Sequence, residues 1–264
     1  MTVSTSVGRA GLGMYPFAPL VEHYEHLWAL VREVEPSLPV SLDWDPDLHA
    51  FWRDPALVVN QTCGWPLVTE LADLVAAGRV RVVGTFVHTV PEAEGPTYRS
   101  VLVARSGLAV AEPADLAGKR AAVNSFASLS GWVSLLHAVH GPGATWHGAV
   151  TLTGAHVESL RALHDGRAEV ASIDAVSFAH VQRWMPELVH DLVVVGSGPR
   201  VPCLPLIAGP ALQTVALDDL RRAFAQAVAD PRAADLRDAL LIERFDPLDA
   251  ADYQVLHELA PAPQ

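Results

Sequence analysis

Short apolar runs and helical patterns alternate along most of the chain. Leu57–Asn60, Val80–Thr85 and Tyr98–Ala104 have the length and the β-branched composition of buried strands. Apolar residues at helical spacing predict a helix over 18–34. The alternation predicts an α/β fold with parallel sheets. Further strands are predicted at Val7–Leu12, 120–124, 149–153, 169–173, 192–196 and 206–208, and further helices at 67–77, 132–140, 157–164, 175–182 and from Leu217 onward with breaks at Pro231 and Pro247.

Polar loops directly follow three of these strands, at 61–65, 124–131 and 153–156. Ligands of open α/β sheets bind at the carboxyl ends of the strands, so we expect a binding site to use these loops. The crossings near 98–104 and 195–205 are places where the chain could leave one lobe and return. We therefore predict two lobes with a ligand cleft between them, lobe 1 from 1–103 and 196–264 and lobe 2 from 104–195.

The loop at 124–131 carries the most specific chemistry. Ser128 and Ser130 are good N-cap residues for the following helix, and Gly131 allows a ligand to approach the backbone closely. Hydroxyls, free N–H groups and the positive end of a helix favour a small oxyanion. The alternative is that Ser130 only caps a helix.

Composition narrows the possible partners. The chain has 264 residues, of which 50% are hydrophobic, and a formal net charge of −12 from 18 Lys and Arg against 30 Asp and Glu. This balance argues against nucleic acids and anionic membranes as partners.

No apolar run is long enough to predict a membrane span, and Met1–Arg9 lacks a signal-peptide pattern, so as written the chain is expected to stay in the cytoplasm. A chain whose signal had been trimmed would look the same.

Motifs for covalent, metal or nucleotide chemistry are missing from the sequence. It contains no Gly-x-Ser-x-Gly, phosphate-binding loop, His-Glu-x-x-His or Cys-x-x-Cys pattern, and we expect no cofactor. His137 and His140 share a helix face, but without a third ligand they make a poor metal pair. Cys63 and Cys203 are expected to be free, buried thiols.

Four segments, in order and with matching spacing, resemble a known family. They are Gln61–Pro66, Tyr98–Ser100, Asn124–Gly131, and Thr153–Leu160 continuing into Gly166–Asp174. The chain is similar here to the substrate-binding components of phosphate, phosphite and phosphonate ABC importers. The resemblance implies a two-lobed type II periplasmic-binding fold, capture of a small oxyanion by hinge closure, and an ABC permease as a possible partner.

The same resemblance implies roles for individual residues. The oxyanion would be held by Ser128, the Leu129 backbone and Ser130, with Tyr98 and His156 nearby, while Asp174 stands where the family has an acidic residue that holds a ligand amine. Aromatic side chains at Tyr15 and Trp65 are candidates for additional contacts, although core packing explains them equally well. The full set of predicted ligand-binding residues is Ser128, Leu129, Ser130, Gly131, Tyr98, His156, Asp174, Tyr15 and Trp65.

A second acidic position of the family is missing. The family carries a Pro-x-Asp-Pro loop, and this chain has Pro202-Cys203-Leu204-Pro205 in its place. A desolvated ammonium group without its carboxylate partner binds poorly. We therefore expect a ligand without a primary amine.

Two other functions stay open at this point. Relatives of the same architecture include a chorismate dehydratase and thiamine-pyrimidine synthesis proteins, and for such an enzyme Asp174 with His156 is the only convincing catalytic pair. A ligand-sensing module that acts through a protein partner is the third candidate.

Overall fold

The computed structural model describes residues 8–212 and 215–261. Its strands follow the predicted apolar runs closely, although Val7, at the start of the first predicted strand, lies outside the described residues. The strands are β1 (Arg9–Gly11), β2 (Leu57–Gln61), β3 (Arg81–His88), β4 (Thr97–Tyr98), β5 (Ser100–Arg105), β6 (Ala121–Val123), β7 (Val150–Leu152), β8 (Val170–Asp174), β9 (Leu192–Ser197), β10 (Val201–Pro202), β11 (Pro205–Ala208) and β12 (Ile242–Asp246).

The helices cover most of the segments with helical spacing. They are α1 (Val21–Val34), α2 (Leu48–Trp52), α3 (Gly64–Val68), α4 (Ala72–Ala76), α5 (Ser134–His140), α6 (His156–His164), α7 (Ala175–Trp184), α8 (Leu217–Ala229) and α9 (Ala234–Leu240). A π turn at Leu129–Val133 leads into α5. Short 3-10 helices lie at Ala18–Leu20, Pro113–Leu116, Pro186–Leu188, Pro231–Ala233 and Ala250–Leu259.

The chain divides into two compact units. Unit 1 comprises Met1–Thr89 and Pro202–Gln254, and unit 2 comprises Val90–Val201 and Val255–Gln264. These limits differ from the predicted lobe boundaries at 103/104 and 195/196. Both β5 and β9 cross a predicted boundary, but each belongs wholly to the sheet of unit 2.

Each unit has its own five-stranded sheet, and both sheets are mixed. The strand order is β1-β2-β11-β3-β12 in unit 1 and β7-β6-β8-β5-β9 in unit 2. Pairs β1/β2, β6/β7 and β6/β8 are parallel, as expected. The prediction of purely parallel sheets is wrong, because β11 and β12 run antiparallel to β3, and β5 runs antiparallel to β8 and β9. The alternation of strands and helices predicts parallel strands joined by a helical crossover. It does not give the direction of strands that are connected in other ways.

Two predicted helical regions are interrupted. The helix predicted at 67–77 is split at Thr69 into α3 and α4. Both the N–H and the Oγ1 of Thr69 donate to the Trp65 carbonyl, at 3.1 and 2.7 Å. The helical region predicted from Leu217 onward stops at Leu241, which adopts the left-handed conformation at φ 55°. The chain then continues as β12, which pairs with β3 at the edge of the sheet.

In unit 2 the core lies between the sheet and the segment 129–140. Its members include Leu102, Val123, Leu135 and Val170, all fully buried. Trp132 belongs to this core, with 4% of its surface exposed. The start of α5 is thereby held against the carboxyl end of the sheet.

One guanidinium group anchors the first strand of unit 1. Arg9 donates to Asp43, Asp54 and Asp45 at 2.7, 2.7 and 2.9 Å and lies 4.1 Å above the Phe51 ring. The hydrogen bonds to Arg9 are the main cause of the lowered pKa values of Asp45 and Asp54. A single cation therefore holds three carboxylates together.

Replacing this cation should destabilise unit 1. We expect Arg9→Met to lower the free energy of unfolding by about 1 to 2 kcal/mol at pH 7, because three carboxylates would then repel one another. The pKa values of Asp45 and Asp54 are lowered in the folded state, so their stabilisation is complete above the unfolded value of about 3.9 and is lost as the pH falls through the folded values. Urea unfolding at pH 7 and pH 3.5 should show the difference shrinking at the lower pH.

Arg222→Met is the matched control for this measurement. Arg222 makes an exposed i,i+3 pair with Asp219 at 2.7 Å, and such pairs contribute about 0 to 1 kcal/mol. Equal effects of the two substitutions would show that the Arg9 cluster has no special structural role.

Candidate functional site

The segment after β6 forms a wide first helical turn, in which the N–H groups of residues 131 to 133 donate to Ser128. Ser128 has extended backbone angles, and its Oγ accepts the Gly131 N–H at 2.9 Å. The N–H groups of Trp132 and Val133 both donate to the Ser128 carbonyl at 3.1 Å. Helical structure thus begins at Leu129, three residues before the predicted start at Trp132, and Ser128 rather than Ser130 is the cap. The N–H groups of Leu129 and Ser130 precede the first bonded turn and have no helical carbonyl to bond.

The backbone at position 131 lies so close to the Asn124 side chain that only glycine fits there. Its backbone angles alone would allow another residue. A Cβ atom at this position would overlap Asn124 Oδ1 and lie 3.1 Å from Ser128 Oγ. Asn124 Oδ1 is itself buried and has no hydrogen-bond partner among the described residues. The first helical turn and the end of β6 are therefore packed too closely for any side chain at 131.

Ser130 bonds a histidine from the neighbouring loop. Its Oγ lies 2.8 Å from His156 Nε2 and 3.5 Å from Ser128 Oγ. Backbone bonds from Thr153 N–H to the Val123 carbonyl and from Gly154 N–H to the Asn124 carbonyl bring the start of α6 beside the 124–131 loop. The loops at 124–131 and 153–156, predicted from sequence, thus meet at one edge of the sheet.

Burial lowers the pKa of the His156 imidazole, and the nearby Asp174 carboxylate opposes that effect only in part. Burial therefore favours the neutral form of the ring. A neutral imidazole has one N–H donor and one acceptor nitrogen. When Nε2 carries the hydrogen and donates to Ser130 Oγ, the Ser130 hydroxyl can donate its own hydrogen elsewhere.

Two buried side chains of β8, Ser172 and Asp174, lie next to the Ser130–His156 pair. Ser172 Oγ donates to the Ser130 carbonyl at 2.5 Å, a contact that sequence reasoning missed. Asp174 is two residues further along the strand, on the same face, and is 2% exposed. Its Oδ1 accepts the Ser177 N–H at 2.8 Å, so Asp174 caps α7 as well.

A sequence model of a known family covers 70–253, which is 184 of the 264 residues. The family is described as "ABC transporter, phosphonate, periplasmic substrate-binding protein". The chain belongs to this family of solute-binding proteins. The two-lobed architecture implied by the sequence resemblance is that of its structural neighbours.

Solved structures of similar fold share little sequence with this family member. PhnD1 from Prochlorococcus marinus in complex with methylphosphonate has a TM-score of 0.76 and 12% identity, with 96% of each chain covered. A binding-protein component of an ABC phosphonate transporter from Pseudomonas aeruginosa has a TM-score of 0.72 and 14% identity, covering 96% of this chain and 84% of that one. A protein from Xanthomonas citri bound to ATP has a TM-score of 0.64 and 17% identity, covering 97% and 96%. No curated protein sequence matches the chain.

Three further predicted contacts of this phosphonate-family protein are Tyr98, Tyr15 and Trp65. Tyr98, in β4 of unit 2, is 1% exposed. Tyr15 and Trp65 belong to unit 1, where the Tyr15 ring packs edge-on against His88 at 5.9 Å and Trp65 is half-buried. Their roles as ligand contacts stay predictions. Cys63 and Cys203 are buried and form no disulfide bond.

The close approach at Gly131 is directly testable. We expect Gly131→Ala to lower the free energy of unfolding by about 1 to 3 kcal/mol, because the new methyl group forces the Asn124 side chain or the helical turn to move. Thermal unfolding followed by circular dichroism measures the change.

Gly13→Ala is the control for the added methyl group. A Cβ there would meet only Leu48 Cδ2 at an ordinary distance of 3.6 Å. If Gly131→Ala were as stable as Gly13→Ala, the tight packing of the first turn would be disproved.

Proposed function

We propose that this protein captures a small phosphonate-like oxyanion at the grip formed by Ser128, Leu129, Ser130, Gly131 and His156. The observation that carries the proposal is the Ser130–His156 hydrogen bond at the open start of a helix. This bond directs the Ser130 hydroxyl hydrogen away from the histidine in the tautomer that protonates Nε2. The Ser128 hydroxyl is also available as a donor, because its oxygen already accepts from Gly131.

Dipoles rather than full charges would hold the anion. Two hydroxyls, the N–H groups of Leu129 and Ser130, and the partial positive charge of the helix start converge on one place. None of the grip residues is Lys or Arg, which is compatible with a chain of net charge −12. Oriented donors act at short range, where the long-range negative field is screened by salt.

The family description and the methylphosphonate complex of PhnD1 support a phosphonate or phosphate-like ligand. They also support delivery to an ABC permease, which is the partner we propose. No helix in the part of the chain that the structure describes has both the length and the apolar character needed to cross a membrane. Tyr98, Tyr15 and Trp65 remain proposed additional contacts.

The enzyme alternative is not favoured. The family match is to solute-binding proteins, whereas a lyase would need a catalytic pair over its substrate. His156 Nδ1 is buried without a hydrogen-bond partner among the described residues, so Asp174 does not bond and orient the ring as a catalytic carboxylate does.

Loss of the Ser130 hydroxyl should weaken binding. A charge-assisted hydrogen bond contributes about 1.5 to 3 kcal/mol, so Ser130→Ala should reduce the affinity for methylphosphonate by roughly ten- to a hundredfold. Titration calorimetry with methylphosphonate and inorganic phosphate measures the effect.

Ser37→Ala is the matched control, because this exposed serine bonds only within its own loop, to Glu35 at 2.6 Å. We expect it to bind like the wild type. An unchanged affinity of Ser130→Ala would show that the anion binds elsewhere.

The missing acidic residue at Leu204 predicts selectivity against amines. Leu204 is 4% exposed, and the family resemblance places a carboxylate there. We expect methylphosphonate to stabilise the protein more than 2-aminoethylphosphonate does, because an ammonium group would lose a charge-assisted partner on desolvation. Thermal shift assays at equal ligand concentrations compare the two directly. Stronger stabilisation by the amine-bearing compound would refute the expectation.

A further inference from the structure

Unit 2 contains a cavity of about 220 Å³ beside α5 and β7. Its lining includes Phe126, Trp132, Leu136, Trp146, Val150 and Pro261, all of which belong to unit 2. None of the described residues that line it is Ser128, Ser130 or His156. The cavity is therefore a different place from the proposed oxyanion grip.

Three aromatic side chains, Phe126, Trp132 and Trp146, form much of the cavity wall. The Phe126 and Trp132 rings meet edge to face, with their centroids 5.0 Å apart. The Trp146 indole N–H donates to the Lys119 carbonyl at 3.1 Å, which holds the third ring. Because these contacts already position the rings, an occupant would need to order little of the wall on binding.

The lining favours an apolar occupant over water. Apart from the tryptophan N–H groups, Thr145 carries the only polar side chain among the described residues that line the cavity. A buried water needs about two to four polar partners, whereas apolar cavities stay dry and take up apolar molecules. Phe126 is 41% exposed, so an occupant that covers its ring would also remove apolar surface from water.

The size of the cavity and the nature of its wall define the class of ligand. An apolar cavity of about 150 Å³ is large enough to bind benzene, so a volume of about 220 Å³ has room for one or two fused rings. Aromatic rings prefer edge-to-face or offset contacts with one another. We propose that this cavity binds a small neutral aromatic molecule of one or two rings, with indole as a suitable probe.

A neutral ring fits this wall better than a cation does. Aromatic walls also recognise quaternary ammonium ions through cation–π contacts. Among the described residues that line the cavity, however, no carboxylate is present. A cation would give up its hydration here without a counter-charge, whereas a neutral ring has no such loss.

Titration calorimetry with indole tests the site on the wild-type protein. We expect one indole to bind with a Kd of about 0.1 to 1 mM, the range of a ligand this small. Tetramethylammonium chloride should bind at least about tenfold more weakly, for lack of a carboxylate. Ser130→Ala should bind indole as the wild type does, so the measurement is independent of the oxyanion function.

Two variants locate the bound indole. Phe126→Ala removes a ring from the wall and should weaken indole binding about tenfold. Trp184→Ala is the matched control, because Trp184 is equally exposed at 41% in unit 2 but does not line the cavity. Ala144→Phe places a phenyl ring on the wall and should abolish indole binding by filling the space, with the circular dichroism spectrum of the wild type retained.

Four results would overturn the proposal. The first is a wild type that binds no indole up to the solubility of the compound, and the second is tighter binding of tetramethylammonium. The third is wild-type indole affinity in folded Phe126→Ala and Ala144→Phe, which would place the indole elsewhere. The fourth is self-association of the wild type that Phe126→Ala abolishes in analytical ultracentrifugation, because a second copy of the chain would then be the occupant.

Discussion

The candidate site depends on how one helical turn closes on Ser128. Because the Ser128 hydroxyl takes the Gly131 N–H and its carbonyl takes two further N–H groups, the turn is wide and its first donors stay open. Single-turn π segments of this kind often occur at functional sites. The glycine at 131 allows the turn to lie against Asn124, and Ser172 holds the carbonyl of Ser130 from the sheet. The orientation of Ser130 toward His156 follows from these three contacts.

The electrostatics of the site differ from those of a typical anion site with arginines. Burial favours the neutral form of His156, and among the residues that the structure describes the charge that acts on its pKa is the negative one of Asp174. An anion bound here would be stabilised by dipoles that are already oriented, so little reorganisation is needed on binding.

Local patterns identified most secondary structure but not the pairing of strands. The apolar runs of β2, β6 and β8 were visible because buried strands need consecutive apolar residues. β12 was missed, since its edge position leaves two of its five residues exposed and weakens the pattern. Antiparallel pairing of β5 and β11 depends on which distant segments lie beside them, and no local signal encodes that.

By itself, the sequence determined the α/β class and the polar loops at strand ends, and it made the Ser128–Gly131 segment a candidate site, because periodicity, capping and glycine preferences act over a few residues. The family resemblance added His156 and Asp174. Only the tertiary structure decided that Ser128 is the cap, that Ser130 bonds His156, and that Ser172 and Asp174 lie on the supporting face. The Ser130–His156 and Ser130–Ser172 contacts join residues 26 and 42 positions apart, and their distances depend on how β6 and β8 pair and how the helices pack on them.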